Sequence, residues 1–173
     1  MQLVIKIISI LLFLQILNVN GADVEPEPES KYIELSTDTW VLTLPESWKP
    51  EAIEGGVRVD SADEVFSIYV STYNVDTPTS GWAQRDIEIV KNSKHSDPES
   101  DFKYMQETVD LDSNIQSFIL DAYDKKNSFR IYTQHFRMGN KLVTFSVHDY
   151  WCQSYKKSVN FTKDLLKGFK IKT

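Results

Sequence analysis

The chain has 173 residues, with 19 basic side chains against 25 acidic ones and a net charge of −6 at pH 7. That excess of acid argues against a nucleic-acid partner, whose phosphates select basic surfaces, and against docking on an anionic membrane. A lone cysteine, Cys152, excludes an intramolecular disulfide, and the length suits one domain stable without staples.

The amino terminus predicts export. Lys6 is the only charge before Asp23, and the apolar run Ile7 to Leu17 follows it. Eleven residues are too few to cross a bilayer as a helix, which takes about 20. A charged start, a short apolar run and small residues after it are the marks of a secretory signal peptide. Val19 and Gly21 fit the −3 and −1 positions for cleavage before Ala22. The expected organisation is therefore a signal peptide over 1–21, a flexible acidic leader over 22–30, and a single domain over 31–173. Cleavage removes only Lys6 from the charged set, which leaves 18 basic against 25 acidic residues and a net charge of −7. The processed chain is expected in the periplasm or outside the cell, with no stable membrane insertion.

Folding is expected to begin near Tyr32. Trp40 to Leu44 reads as a strand closed by Pro45, and Pro45 to Pro50 as a loop holding Trp48. Gly55 and Gly56 open a short strand over Val57 to Ser61, and Asp63-Glu64 turns the chain into a longer one, Val65 to Tyr73. After Pro78 the period changes. Thr79 or Ser80 can cap a helix over Gly81 to Asn92, with Trp82, Ile89 and Val90 on one side. A polar loop, His95 to Asp101, ends it. Four strand-like runs follow, Phe102 to Leu111, Ile115 to Tyr123, Phe129 to Phe136 and Lys141 to Trp151, separated by hairpin chemistry. A second helix is expected over Tyr155 to Lys167, with Val159, Thr162, Leu165, Leu166 and Phe169 on its buried side. Gly168 sits where a helix ends, and Phe169 to Lys172 can return to the sheet.

If Gly139-Asn140 is a two-residue turn, Phe136 faces Val143, Gln134 faces Phe145, Tyr132 faces Val147 and Arg130 faces Asp149. That face is mostly apolar with an ion pair at its far end, and the other face is wetter. This is the antiparallel pattern. Two helices can cover the apolar side. The fold class expected is α+β: an antiparallel sheet of about six to seven strands against two α-helices, in a two-layer or sandwich arrangement.

The sequence resembles the Mog1/PsbP-like (DcrB-like) domain family in its exported bacterial form. The resemblance lies in Trp40-Val-Leu-Thr-Leu-Pro-Glu-Ser-Trp48, in Phe66 to Ser71, in the mid-chain helix and the hairpins around Tyr132 and Gly139, and in Phe161 to Ile171. It covers nearly the whole processed chain as a pattern of elements. It implies a non-enzymatic binding or assembly module, as in a nuclear-transport adaptor, an extrinsic photosystem subunit and bacterial envelope proteins. It supplies no shared catalytic residues.

The residues themselves give little chemistry. In the register above His135 is opposite Thr144 and His148 opposite Ile131, four steps apart along strands rising about 3.3 Å per residue, too far for one metal. Neither a metal nor a cofactor is expected. Cys152 and His148 could pair as a nucleophile and base, but no Asn or Asp is placed to orient the histidine. There is no Gly-x-Ser-x-Gly turn and no glycine-rich anion loop. The acidic groups Asp60, Asp63, Glu64 and Asp97, Glu99, Asp101 sit in short turns, where such residues bond their own backbone. Asn160-Phe-Thr162 fits a glycosylation acceptor but falls inside the expected last helix.

Aromatic residues are more informative. Trp48, between two prolines, and Trp151, at a strand end, are expected to be partly exposed. With Tyr150, His135 and Arg137 they are the residues expected to bind a partner, since Trp, Tyr and Arg anchor protein interfaces. The function expected is a non-enzymatic exported module that binds another protein, for example a periplasmic immunity or envelope-accessory protein. The alternatives are a small-ligand carrier with a pocket lined by Trp82, Tyr132 and Phe145, and a Cys/His hydrolase.

Overall fold

The computed structural model describes residues 4–8, 31–75, 102–112 and 115–172. The expected helix over 81–92, with Trp82, and the acidic group over 97–101 lie outside the described residues, as does most of the signal segment.

Eleven strands and one α-helix are described. They are β1 (Val4–Ile8), β2 (Tyr32–Ser36), β3 (Trp40–Pro45), β4 (Lys49–Ile53), β5 (Gly56–Asp60), β6 (Phe66–Asn74), β7 (Phe102–Asp112), β8 (Ile115–Asp124), β9 (Phe129–Met138), β10 (Lys141–Asp149), α1 (Tyr155–Lys167) and β11 (Phe169–Ile171). They form two sheets, β1-β2-β3-β11 and β4-β5-β6-β10-β9-β8-β7. Every pairing is antiparallel. The expectation of a single sheet of about six to seven strands is corrected here. A second sheet covers the large one, and among the described residues a single helix accompanies it.

The β9–β10 hairpin has the register its turn predicts, with Phe136 opposite Val143, Gln134 opposite Phe145, Tyr132 opposite Val147 and Arg130 opposite Asp149. Gly139 takes φ +57° and Asn140 does not, the arrangement of a type II′ turn with glycine first. Alternation then sends Val57, Val59, Ile68, Val70, Val143, Phe145 and Val147 to one side of the large sheet, all at most 1% exposed. Ile33, Leu35, Trp40, Leu42 and Leu44 of the small sheet meet them, and Leu165 of α1 and Phe169 of β11 close the same core. Phe169 is the hub, 4.7 Å from Phe145, 5.5 Å from Phe136 and 6.4 Å from Trp40 by ring centroids. A smaller cluster, Leu120 and Ala122 with Phe118, lies on the opposite face of the large sheet.

Two details depart from expectation. The stretch after Trp48 is a strand, β4, whose mostly exposed side chains and Pro50 suit the sheet edge it occupies. Helix α1 buries Ser158 together with the expected Thr162 and Leu165, while Val159 is only partly buried, so its inner stripe carries two hydroxyls. Ser154 caps it, accepting the Lys157 N–H.

Those hydroxyls answer Arg130, which is 1% exposed. Its guanidinium forks onto Asp121, with Nε to Oδ1 and Nη2 to Oδ2 both at 2.8 Å, and Nη1 donates to Ser158 Oγ at 3.1 Å and Thr162 Oγ1 at 2.7 Å. The rings of Tyr132 and Tyr155 flank it at 5.7 and 5.5 Å. The ion pair expected between Arg130 and Asp149 is therefore replaced by one with Asp121, because the next strand offers a carboxylate on the same face in bidentate geometry. Thr162, the last residue of the glycosylation-like triplet, is locked in this network at 1% exposure.

Candidate functional site

One end of the large sheet gathers exposed aromatic surface. Tyr69 on β6 and His148 on β10 share the face away from the main core, with ring centroids 4.7 Å apart. Tyr150 follows β10 and extends the stack. Its hydroxyl lies 3.4 Å from that of Tyr69 and 3.5 Å from His148 Nδ1, and its ring stacks on Phe129 at 5.6 Å. Arg58 on β5 sits 6.0 Å from the Tyr69 ring while its Nε donates to Asp60 Oδ1 at 3.0 Å. Trp151 projects beyond the stack at 64% exposure, and Tyr150 is 42% exposed.

The backbone that presents these side chains is pinned. The Tyr150 N–H donates to the Val65 carbonyl at 2.9 Å and the Cys152 N–H to that of Ser128 at 2.6 Å. The Trp151 N–H donates to Asp149 Oδ1 at 3.1 Å. Two neighbouring turns are held by their own acids. Asp124 accepts the N–H groups of Lys126 and Asn127, and Asp63 accepts that of Val65. Rigid aromatic groups lose little conformational entropy when a partner covers them.

The platform is uncharged apart from its Arg58–Asp60 rim. Burial among the rings, reinforced by the positive Arg58, pushes His148 down from 6.5 to about 4, so it is neutral at pH 7. Its Nε2 lies 3.1 Å from Ser146 Oγ. Burial, then the bond to Tyr150, raises the Tyr69 phenol, which keeps its proton.

The five residues expected to bind a partner fall in three places. Trp151 and Tyr150 belong to the platform. Trp48 is corrected from exposed loop to core. It is 8% exposed and stacks on Phe161 at 6.2 Å, because its N–H bonds the Pro45 carbonyl and the tight turn folds the indole back onto α1. His135 is 7% exposed, with Nδ1 2.8 Å from Thr144 Oγ1 and its ring stacked on Phe118. Arg137 donates from Nε to the Gly139 carbonyl at the hairpin tip. The position of His135, opposite Thr144, is six register steps from Tyr150, about 20 Å of strand. Tyr69, Phe129 and Arg58 were not singled out as binding residues from the sequence. The signal that finds them is register, since β10 pairs with both β6 and β9.

The alternative chemistries lose their geometry. His148 faces the platform, whereas Cys152 is 2% exposed and turned toward Asp149 and Ser158, with its thiol pushed up by burial and by the Asp149 carboxylate. The pair does not meet. Tyr132 and Phe145, expected to line a carrier pocket, are packed core at 8% and 0% exposure. A groove of about 460 Å³ lies elsewhere, between β2, β3 and the end of α1, lined by Tyr32, Thr43, Pro45, Phe161 and Leu165. Among the described residues no three His, Cys, Asp or Glu side chains gather as a metal site.

A scan against protein-family models finds no match, and a search of the curated proteins finds none. Among solved structures the chain is similar to cyanobacterial PsbP (CyanoP) from Synechocystis sp. PCC 6803, with a TM-score of 0.62 and 12% identity, over 88% of this chain and 98% of that one. The fold is PsbP-like. Among the described residues no helix is long and apolar enough to cross a membrane.

Proposed function

We propose that this chain is exported and acts as a non-enzymatic protein-binding module, gripping its partner through the aromatic end of the large sheet. The observation that carries the reading is Trp151 at 64% exposure beside Tyr150 at 42%, on backbone fixed by three hydrogen bonds. Exposed aromatics on preorganised backbone are what interface hot spots are made of. The PsbP-like fold supports the reading, because the resemblance implies binding and assembly modules. Export is supported by Lys6, the apolar run after it and the small residues before Ala22. In a bacterial host the finer form is a periplasmic immunity or envelope-accessory protein.

A photoreactive phenylalanine in place of Trp151, in the exported protein in its own host, tests this directly. A discrete protein adduct is expected at position 151 and none with the probe at Arg137, at the other end of the sheet. No adduct at 151, or the same adduct from both positions, contradicts the proposal.

A further inference from the structure

We infer that the outer edge of β2, once the leader is removed, accepts an extended strand from a partner, with a lysine or arginine set between two apolar residues. The inference rests on the export reading above and concerns a surface separate from the aromatic platform. β2 pairs with β3 along one side. Along its other side the full-length chain seats β1 antiparallel in five register pairs, from Val4 opposite Ser36 to Ile8 opposite Tyr32. Those residues belong to the segment that cleavage before Ala22 takes away. Its removal leaves β2 with a row of unpaired N–H and C=O groups, a template for another strand. Adding a strand to such an edge is an established way of holding a peptide, with main-chain bonds giving affinity and alternate side chains giving choice.

The register states what chemistry fits. A strand in the place of β1 sets two of its residues across from Ile33 and Leu35, which are 6% and 0% exposed and belong to the core. Its middle residue stands across from Glu34, on the opposite face of the sheet. In β1 those positions are held by Ile7, Ile5 and Lys6. Opposite charges directly across an antiparallel pair contribute roughly 0.2–1 kcal/mol, and like charges there destabilise. The same rule disfavours a second copy of the chain. A two-fold β2–β2 pairing centred on this strand sets Glu34 against Glu34. The processed chain, at −7, also draws a basic strand and repels another copy of itself.

The test uses the exported, processed protein and a fluorescent peptide of residues 3–8 carrying an uncharged hydrophilic tail, beside the same peptide with glutamate in place of its lysine. Anisotropy titration should show saturable binding of the lysine peptide and at least about fivefold weaker binding of the glutamate peptide, the ratio that roughly 1 kcal/mol gives. Glu34→Lys should reverse the order and Glu34→Gln should erase it, both with melting temperatures near the parent's. No saturable binding of the lysine peptide, or an unchanged preference in Glu34→Lys, overturns the inference. Amino-terminal sequencing of the exported chain separates the two readings. A start at Met1 removes the export reading and this inference with it, whereas a start at Ala22 without peptide binding removes this inference alone.

Discussion

His148 shows how one residue reports the state of the platform. Its Nε2 lies beside Ser146 and its ring is enclosed by Tyr69, Phe129 and Tyr150; that burial, with the Arg58 cation nearby, holds it near 4 against the usual 6.5. A depressed histidine favours the folded state only while it stays neutral. Above about pH 6.5 neither state binds the proton and the full stability is present. Between 6.5 and 4 the unfolded chain takes up a proton that the folded one refuses, so stability falls as the pH drops through that window. The loss should be on the order of 2–4 kcal/mol. Urea midpoints of the parent and His148→Gln at pH 7 and pH 4.5 isolate it, because the carboxylates contribute equally to both proteins. The parent should lose more between the two pH values, and equal losses would mean that the ring is not enclosed as described.

At the scale of elements, Arg130 bolts α1 to β8 and β9. It binds Asp121 through two nitrogens and Ser158 and Thr162 through the third, while the Tyr155 hydroxyl donates to Asp121 Oδ2 at 3.0 Å. Removing one member leaves a buried charge without its counterion, which costs about 3–5 kcal/mol, whereas replacing both with apolar residues of similar volume is often tolerated. Arg130→Met and Asp121→Leu should each lower the unfolding free energy by that amount, and the double variant by less than either alone. Additive losses in chemical denaturation would show that the two side chains act separately. This network marks the limit of what periodicity reveals. Apolar spacing located α1 and placed Thr162 and Leu165 on its inner stripe but missed Ser158, which is buried to answer a charge from a distant strand. The hairpins were legible, since Gly139-Asn140 and the Asp124 turn impose register locally. Strand β4 was not, because an exposed edge strand with a proline carries no alternation to read.

For the molecule as a whole, antiparallel pairing of the long strands could be read from the chain, whereas the full strand count, eleven among the described residues against the six to seven expected, and the division into two sheets could not. The short strands β2, β3 and β11 carry the same alternation as the long ones. Only the return of Phe169 against Leu42 assigns them to a separate layer. The same holds for the site. Trp151 stands out in the sequence, yet Trp48 looks identical there and is core, because exposure depends on whether α1 lies beneath the ring. The PsbP-like fold is thus a frame that buries one tryptophan and presents the other.

The measurement closest to the central claim is the affinity of whichever protein is trapped at position 151 for the parent chain and for Trp151→Ala. The indole is largely outside the core, so the variant should melt within about 2 °C of the parent, while losing about 2 kcal/mol of binding, roughly thirtyfold in Kd. Equal affinities for the two chains would contradict the account.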